Sequence, residues 1–220
     1  VALEIGTSKV IALVGEVRQD GNVMITGIGE SSSSGIRKGS IVHVENAEMC
    51  VRSALELAED TGKVTIRQVH LAVSGGHIQS VVNRGTIPLI ESGGEVTQDD
   101  VEQVMEVARA INLPPDRDIL HAVCQQFRID DHHPVVRPEG MEGSKLSLDM
   151  LIIHALRNQI RNTVKVVSNL MIDVVDVAFS GLCSSLAVLT AEQKKSGVIV
   201  IDLGAGTTDY CVYSGNVMSG

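Results

Sequence analysis

The sequence has very few aromatic residues: two Phe, two Tyr and no Trp among 220 residues. The core must therefore be built from aliphatic side chains, and the aromatic platforms on which single-stranded nucleic acids stack are almost absent. Basic residues are also scarce, since 18 Lys and Arg stand against 27 Asp and Glu, giving a formal net charge of −9. An acidic chain without a basic stripe is poorly suited to a phosphate backbone. We therefore expect no nucleic-acid partner.

Cysteine pairs and long apolar runs are also missing. None of the four cysteines belongs to a CxxC pair (Cys50, Cys124, Cys183 and Cys211). This argues against a disulfide framework and a structural zinc site, and it fits a reducing compartment. No apolar run reaches the roughly 20 residues that cross a bilayer, and no signal-peptide pattern precedes the first strand. We expect a soluble, cytosolic chain, and its start at Val1 rather than Met suggests that upstream residues are missing.

Two common nucleotide-binding motifs are absent as well. GxxxxGK[ST] does not occur, which excludes a P-loop NTPase. Residues 204–209 have Asp209 where the dinucleotide fingerprint has its third Gly, and they enter a strand pattern rather than a helix. A Rossmann site is therefore excluded.

What the sequence does contain is a succession of strand and helix patterns. Strands are predicted at 2–5, 10–17 and 23–28, and a helix begins at Val44 and stops before Gly62. Later elements are a strand at 148–154, a helix of about 15 residues with Met171 on its inner face, a strand at 174–179, a helix from Ser180 to near Lys194, and two hairpin strands at 197–204 and 208–213. A lone hairpin is marginally stable, so the last strands need a further sheet.

Residues 68–150 have a different character and predict a small α+β insert. Short strands are predicted at 69–73, 80–83, 86–90, 119–123 and 126–129. Thr97 to Asp100 resembles a capping box, and Pro114 stops the helix behind it. Residues 130–145 are predicted to form a loop, and residues 130–133 (Asp-Asp-His-His) are interpreted as a solvated turn because they lack a regular ligand spacing. Met105, Met150 and Met171 are expected to pack in the core.

Two short tracts match each other and carry the chemistry. Residues 3–9 and 201–209 each join an apolar strand that ends in an acid to a turn rich in glycine and hydroxyl groups. Glycines let backbone N–H groups approach an anion, hydroxyls add donors, and the acid can hold a hydrated divalent metal beside phosphates. Either tract alone is equally well explained as a tight turn between core strands. The pair, however, predicts a clamp on a polyphosphate.

The paired tracts resemble the two phosphate motifs of the actin-like ATPase superfamily, and within it the whole chain resembles the FtsA family of bacterial cell-division proteins. The matching stretches are LEIGTSKVIALVGEV at 3–17, GIRKGSIVHVE at 35–45, VHLAVSGGHI at 69–78, EVTQDDVEQVMEVA at 95–108, ILHAVCQQFRID at 119–130, FSGLCSSLAVLT at 179–190 and VIDLGAGTTDYCVY at 200–213. The most specific part is the insert at 68–150, because actin and MreB place their extra subdomain elsewhere.

The resemblance implies an α/β, actin-like (ribonuclease H-like) ATPase fold with an inserted small α+β subdomain, called 1C, and a second lobe that is only begun. Subdomain 1A would comprise 1–67 and 151–192, subdomain 1C would comprise 68–150, and subdomain 2A would start at 193–220. The adenosine pocket of this superfamily comes largely from the second lobe. The 220 residues alone are therefore expected to bind nucleotide weakly or not at all.

The resemblance also implies a site for ATP and Mg²⁺. The predicted phosphate-binding residues are Gly6, Thr7, Ser8 and Lys9 in the first tract, and Asp202, Gly204, Gly206, Thr207 and Thr208 in the second. The predicted metal ligands are Asp202 and Glu4, and no catalytic residue is assigned.

Three departures from the superfamily pattern bear on turnover. Glu4 stands where Asp is usual, which puts direct metal contact in doubt, and Ala205 replaces a common glycine, which restricts backbone approach. Chaperones and MreB carry a glutamate that orients the attacking water at the position that falls on Gly181. Without an acid there, fast in-line hydrolysis lacks its water-positioning group, so we expect a slow ATPase or an ATP-dependent switch.

In role, the resemblance implies a scaffold that polymerises into actin-like filaments, tethers FtsZ of the Z ring to the membrane and recruits later division proteins through the insert. The protein would be peripheral on the cytoplasmic face of the inner membrane at the division site, anchored through a C-terminal helix outside these residues. Two alternatives stay open. One is a PilM-like pilus-assembly ATPase, and the other is a small-molecule kinase of the same superfamily, which should present an acidic general base near the first tract.

Overall fold

The computed structural model describes residues 1–90, 94–215 and 217–219. Its strands are β1 (Ala2–Ile5), β2 (Lys9–Val17), β3 (Val23–Ser32), β4 (Ile36–Arg37), β5 (Ser40–Ile41), β6 (Gln68–Val73), β7 (Gln79–Pro88), β8 (Arg117–Ile129), β9 (Lys145–Leu156), β10 (Asp173–Phe179), β11 (Val198–Leu203), β12 (Thr208–Ser214) and β13 (Val217–Met218). Its helices are α1 (Val44–Gly62), α2 (Gln98–Arg109), α3 (Arg157–Ser168), α4 (Ser180–Val188) and α5 (Ala191–Ser196). The contacts between these elements divide the chain into two compact units.

The first unit is built on a five-stranded sheet of order β10-β6-β1-β2-β3. It comprises Val1–Ile78, Ala155–Val188 and Val200–Tyr210. Strands β1, β6 and β10 are parallel, whereas β1, β2 and β3 are antiparallel neighbours. The parallel strands end in register, because Glu4 pairs with Ala72 and Phe179 pairs with Val73. Their carboxyl ends therefore form one edge, from which the loop after β1 emerges.

Helix α1 lies unusually close to β3. The buried face of α1 consists mainly of small residues (Ala47, Cys50, Val51, Ala54, Leu55 and Ala58). A Cβ atom on Gly29 of β3 would stand 1.9 Å from the carbonyl oxygen of Ala54, so this position admits only glycine. At the end of the helix, the Thr61 hydroxyl accepts a hydrogen bond from the Ile28 N–H at 2.8 Å. Thr61 of the helix thus accepts a hydrogen bond from a backbone N–H of β3, which as an edge strand has no neighbouring strand on one side.

The second unit contains a three-stranded sheet of order β7-β9-β8 with α2 packed against β7. It comprises Gln79–His154, Leu189–Ile199 and Cys211–Gly220. Its apolar core includes Ile87, Leu89, Val96, Val101, Val104, Ala108, Ile129, Leu146, Leu148, Met150 and Ile152. The predicted capping box is confirmed: the Thr97 hydroxyl accepts from the Asp100 N–H at 3.2 Å, and the Asp100 carboxylate accepts from the Thr97 N–H at 2.9 Å.

Two pairs of short strands predicted in this unit are single long strands. The prediction at 80–83 and the first three residues of that at 86–90 both lie in β7, which ends at Pro88, and the predictions at 119–123 and 126–129 are both parts of β8. The break in β7 was placed near Gly85, where a Cβ atom would stand 2.5 Å from the Ala108 nitrogen. The glycine therefore admits the backbone of α2 and does not end the strand.

The helices predicted after residue 156 are too long. Helix α3 ends at Ser168, and Met171 lies beyond it with a φ of 60° and a side chain that is 92% exposed. The predicted core position of Met171 is therefore wrong, and Met105 is also exposed. The helix predicted from Ser180 to near Lys194 is two helices, because the Thr190 hydroxyl accepts from the Gln193 N–H and starts α5 with its own capping box.

The hairpin predicted at the end of the sequence is confirmed as β11 and β12, which form a sheet of order β11-β12-β13. Strand β6 lies inside the range predicted as the insert, yet it belongs to the five-stranded sheet. The proposed subdomain boundaries stay a prediction. Among the helices of the described residues, none has the length and apolar character needed to cross a membrane.

Candidate functional site

The first loop, residues 6–9, is a tight turn between β1 and β2. The Gly6 N–H donates to the carbonyl oxygen of Lys9 at 3.0 Å. A Cβ atom on Gly6 would stand 2.8 Å from that same oxygen, so the turn requires glycine. The end of β3 fixes the loop from the side, because the Ser33 hydroxyl donates to the carbonyl oxygen of Gly6 at 2.7 Å.

The second loop, residues 204–207, repeats this construction between β11 and β12. The Gly204 N–H donates to the carbonyl oxygen of Thr207 at 2.9 Å, which is the same three-residue spacing as in the first loop. A Cβ atom on Gly204 would stand 3.0 Å from that oxygen. The similarity predicted from sequence between the two tracts therefore extends to their backbone hydrogen bonds.

The two loops touch each other in the first unit. A Cβ atom on Gly206 would stand 2.7 Å from Oγ1 of Thr7, so a side chain at Gly206 would displace Thr7. The Thr7 hydroxyl in turn accepts from the Gly39 N–H at 3.2 Å. The Lys9 Nζ atom lies 3.3 Å from the Glu30 carboxylate. The structure thus brings the predicted glycine and threonine positions together and pairs Lys9 with an acid.

Carboxylates stand beside the loops and influence one another. Burial raises the pKa of Glu4, and the negative charge of Asp202 raises it further. Burial also raises the pKa of Asp209, an effect that the Gly75 N–H partly offsets by donating to its carboxylate. Asp202 accepts a hydrogen bond from the Ser184 hydroxyl of α4 at 3.3 Å. A cation would relieve the repulsion among these groups.

This donor set fits hydrated Mg²⁺ beside phosphate groups. Mg²⁺ usually keeps several waters and is held by one or two protein carboxylates together with phosphate oxygens. Glu4 and Asp202, the two predicted ligands, interact electrostatically and could fill that role. Within the part of the chain that the structure describes, no group of three or more His, Cys, Asp or Glu is arranged to hold a metal ion. The site therefore suits a metal that arrives with its phosphates rather than one held in a protein cage.

Several contributors to the site were not among the predicted site residues, and besides Ser33 and Ser184 they include Asp209, Gly39 and Gly75. Asp209 stands in the second tract but had no role assigned, although its acidic side chain there was a usable signal. Gly39 has a φ of 75°, and a Cβ atom on it would stand 2.5 Å from the carbonyl oxygen of Ser74. Gly75 follows β6 and donates to Asp209. The glycine pair after a predicted strand was a weak signal for Gly75, and Gly39 lies in the matching stretch at 35–45, which assigned it no role.

The Asp-Asp-His-His run at 130–133 makes local structural contacts in the second unit. The Asp130 carboxylate accepts from the backbone N–H groups of Ser144 at 2.9 Å and Lys145 at 3.0 Å. Asp131 pairs with the Lys145 ammonium group. These contacts join the two ends of the loop and agree with the interpretation of a turn.

Comparison with known proteins identifies relatives of this chain by sequence. The family described as "SHS2 domain inserted in FTSA" matches residues 75–154. The cell division protein FtsA of Escherichia coli (strain K12) is 38% identical over 218 residues, which is 99% of this chain and 51% of that protein. The chain therefore spans about half the length of the curated relatives it matches.

Solved structures show a similar fold at low sequence identity. The PilM-PilN type IV pilus biogenesis complex aligns with a TM-score of 0.65 and 15% identity, covering 100% of this chain and 59% of that chain. The ethanolamine utilization protein EutJ from Carboxydothermus hydrogenoformans aligns with a TM-score of 0.53 and 12% identity, covering 100% and 48%. At these identities the likeness concerns the fold alone, and it confirms the predicted α/β, actin-like ATPase fold.

Proposed function

We propose that this chain belongs to the FtsA family of cell-division proteins and forms part of an ATP-binding, actin-like scaffold of the bacterial division machinery. The observation that carries the proposal is the 38% identity along 99% of the chain. The match at residues 75–154 to the domain inserted in FtsA supports it independently. The likeness to the pilus protein PilM concerns the fold at 15% identity and gives the pilus alternative no comparable support.

The proposed ligand is ATP with Mg²⁺. Backbone N–H groups and hydroxyls of the first loop (Gly6, Thr7, Ser8 and Lys9) and of the second (Gly204, Gly206, Thr207 and Thr208) would hold the phosphates. Asp202, with Glu4 beside it, would hold the metal, which neutralises phosphate charge when bound. The matching turns of the two loops and the contact between Gly206 and Thr7 support this assignment.

The proposed turnover is slow, so that ATP acts as a switch. Gly181 lies in the first turn of α4 and carries no side chain that could orient a water molecule. The carboxylates near the loops have another proposed role, which is to hold the cation. Without an acid to position the attacking water, hydrolysis is slow and the nucleotide stays bound for longer. A scaffold that responds to ATP requires such a long-lived bound state.

The proposed partners follow from the family. The scaffold would tether FtsZ to the cytoplasmic membrane at the division site, associate with further copies of itself into filaments and recruit later division proteins through the insert. Subdomain 1A would comprise 1–67 and 151–192, 1C would comprise 68–150, and 2A would begin at 193. The net charge of −9 makes these residues unsuited to an anionic membrane, so membrane contact would fall to a C-terminal helix outside them.

The experiment that tests this proposal is co-sedimentation of the full-length protein with anionic liposomes, with and without ATP and FtsZ. We expect the protein to pellet with the liposomes and to carry FtsZ with it, more strongly when ATP is present. FtsZ that pellets equally without the protein would make the assay uninformative about tethering, so FtsZ with liposomes alone is the required control. Membrane binding that leaves FtsZ in the supernatant would refute the tethering role.

A further inference from the structure

The start of α4 lies at the edge of the five-stranded sheet from which the first loop emerges. Its first residue, Ser180, directly follows β10, whose Phe179 pairs with Val73 of β6. Strand β6 leads into Gly75, which donates to Asp209 of the site. Because parallel strands end at the same edge, the first turn of α4, whose backbone N–H groups have no partner within the helix, shares that edge with the first loop.

One face of α4 is turned toward Asp202 of the site. The Ser184 hydroxyl donates to the Asp202 carboxylate at 3.3 Å. Residues three and four apart lie on the same face of a helix. Ser180 therefore shares this face, one turn closer to the helix N-terminus.

The Ser180 hydroxyl is buried and lacks a partner. The residue is only 4% exposed, and its Oγ atom has no hydrogen-bond partner among the described residues. Ser185 provides the contrast in the same helix, because its buried hydroxyl donates to the carbonyl oxygen of Leu182 at 2.7 Å. A buried hydroxyl without a partner is unfavourable and usually has a functional reason. At Ser180, a ligand atom would supply the missing hydrogen-bond partner.

We propose that the Ser180 hydroxyl and the N–H groups at the start of α4 bind the terminal phosphate of a nucleoside triphosphate. This inference rests on the proposed function, since it deepens the assignment of the same site. The N-terminus of a helix attracts anions, and the hydroxyl donates to a phosphate oxygen. A nucleoside diphosphate lacks the group that these donors hold. Ser180 would thus let the site distinguish the triphosphate from the diphosphate.

The test compares Ser180→Ala with Ser185→Ala in the full-length protein. Isothermal calorimetry measures the affinity for ADP and for a slowly hydrolysed ATP analogue, each with Mg²⁺. Loss of a hydrogen bond to a charged phosphate should weaken binding of the analogue about tenfold in Ser180→Ala, with ADP affinity unchanged. The control Ser185→Ala should retain the wild-type ratio of the two affinities, because its hydroxyl is used inside the helix.

Thermal denaturation provides a readout that does not depend on turnover. Since the Ser180 hydroxyl is unpaired, its removal should leave the Tm of the ligand-free protein unchanged or raise it. The rise in Tm caused by the ATP analogue should be smaller in Ser180→Ala than in wild type. This combination separates a ligand-binding hydroxyl from one that merely supports the fold.

The outcomes distinguish this inference from the function on which it rests. If wild type binds neither nucleotide, the proposed function is refuted and the inference with it. If wild type binds the analogue and Ser180→Ala binds it equally well, only the inference is overturned. An equal loss of ADP and analogue affinity would also overturn it, because Ser180 would then not act at the terminal phosphate.

Discussion

At the scale of single residues, the contact between the two loops depends on the lack of a side chain at Gly206. A Cβ atom there would stand 2.7 Å from Oγ1 of Thr7, and both loops would have to move apart. Such overpacking costs about 1–3 kcal/mol, and we expect Gly206→Ala to weaken nucleotide binding roughly tenfold. Calorimetry on the full-length protein measures the change. The matched control is Gly76→Ala, where a Cβ atom meets no heavy atom within 4 Å. Wild-type affinity in Gly206→Ala would contradict a shared site.

The site residues that could be predicted from sequence make contacts that are local in sequence, and those that could not be predicted act through residues far away in sequence. Gly6 and Gly204 belong to hairpins that are local in sequence, and their turns have matching composition. Gly39 acts through Thr7 and Gly75 acts through Asp209, over distances in sequence that no local pattern reports. Gly75 follows β6, whose register brings separate strand ends to one edge, whereas Gly39 lies in the turn between β4 and β5.

At the scale of elements, the close packing of α1 on β3 restricts which side chains the strand can have at Gly29. Gly29→Ala would place a Cβ atom 1.9 Å from the carbonyl oxygen of Ala54 and 2.5 Å from the nitrogen of Ala58, both backbone atoms of the helix. Neither can turn aside as a flexible side chain can, so the helix must shift. We expect a loss of about 3 kcal/mol in the free energy of unfolding, measured by urea denaturation. Gly76→Ala again serves as the control, and equal stability of the two variants would show that α1 moves freely.

Elements with clear local signals were predicted well, and those shaped by tertiary contacts were not. The capping box at Thr97 was recognisable because it depends on residues three positions apart. Gly85 concealed the continuity of β7, because a glycine that admits a helix and a glycine that ends a strand look alike in sequence. Met171 follows helical spacing, but α3 ends three residues before it. The period of a pattern predicts an element and does not fix its end.

At the scale of the whole molecule, the two units should respond to acid in opposite directions. Burial raises the pKa of Glu4 and of Asp209 in the first unit. Their contribution to stability is therefore fully present below the unfolded pKa values and is lost as pH rises through the folded ones. In the second unit, His154 is 7% exposed, and its Nδ1 atom accepts from Arg117 Nε at 2.6 Å. Burial lowers the pKa of His154, and the positive charge of Arg117 lowers it further.

As pH falls, the gain of charge by His154 should destabilise the folded state. The contribution of His154 to stability is complete above the unfolded pKa, near 6.5, and is lost as pH falls through the lower folded pKa. The carboxylates act in the opposite sense, because their folded pKa values lie above the ordinary values of 4.5 for Glu4 and 3.8 for Asp209. We expect the contribution of His154 to lower the free energy of unfolding between about pH 7 and pH 5.5, in the range where histidine gains its charge. Urea denaturation followed by circular dichroism measures this decline.

The variant His154→Asn isolates the cause of that decline. An amide oxygen can accept the hydrogen bond from Arg117 but gains no charge in acid, so the dependence of stability on pH should flatten. His133→Asn changes an exposed histidine of the same unit and should keep the wild-type slope. If His154→Asn also kept that slope, the acid sensitivity would have to come from other groups, and the pair of Arg117 with a neutral histidine would not control the stability of the second unit.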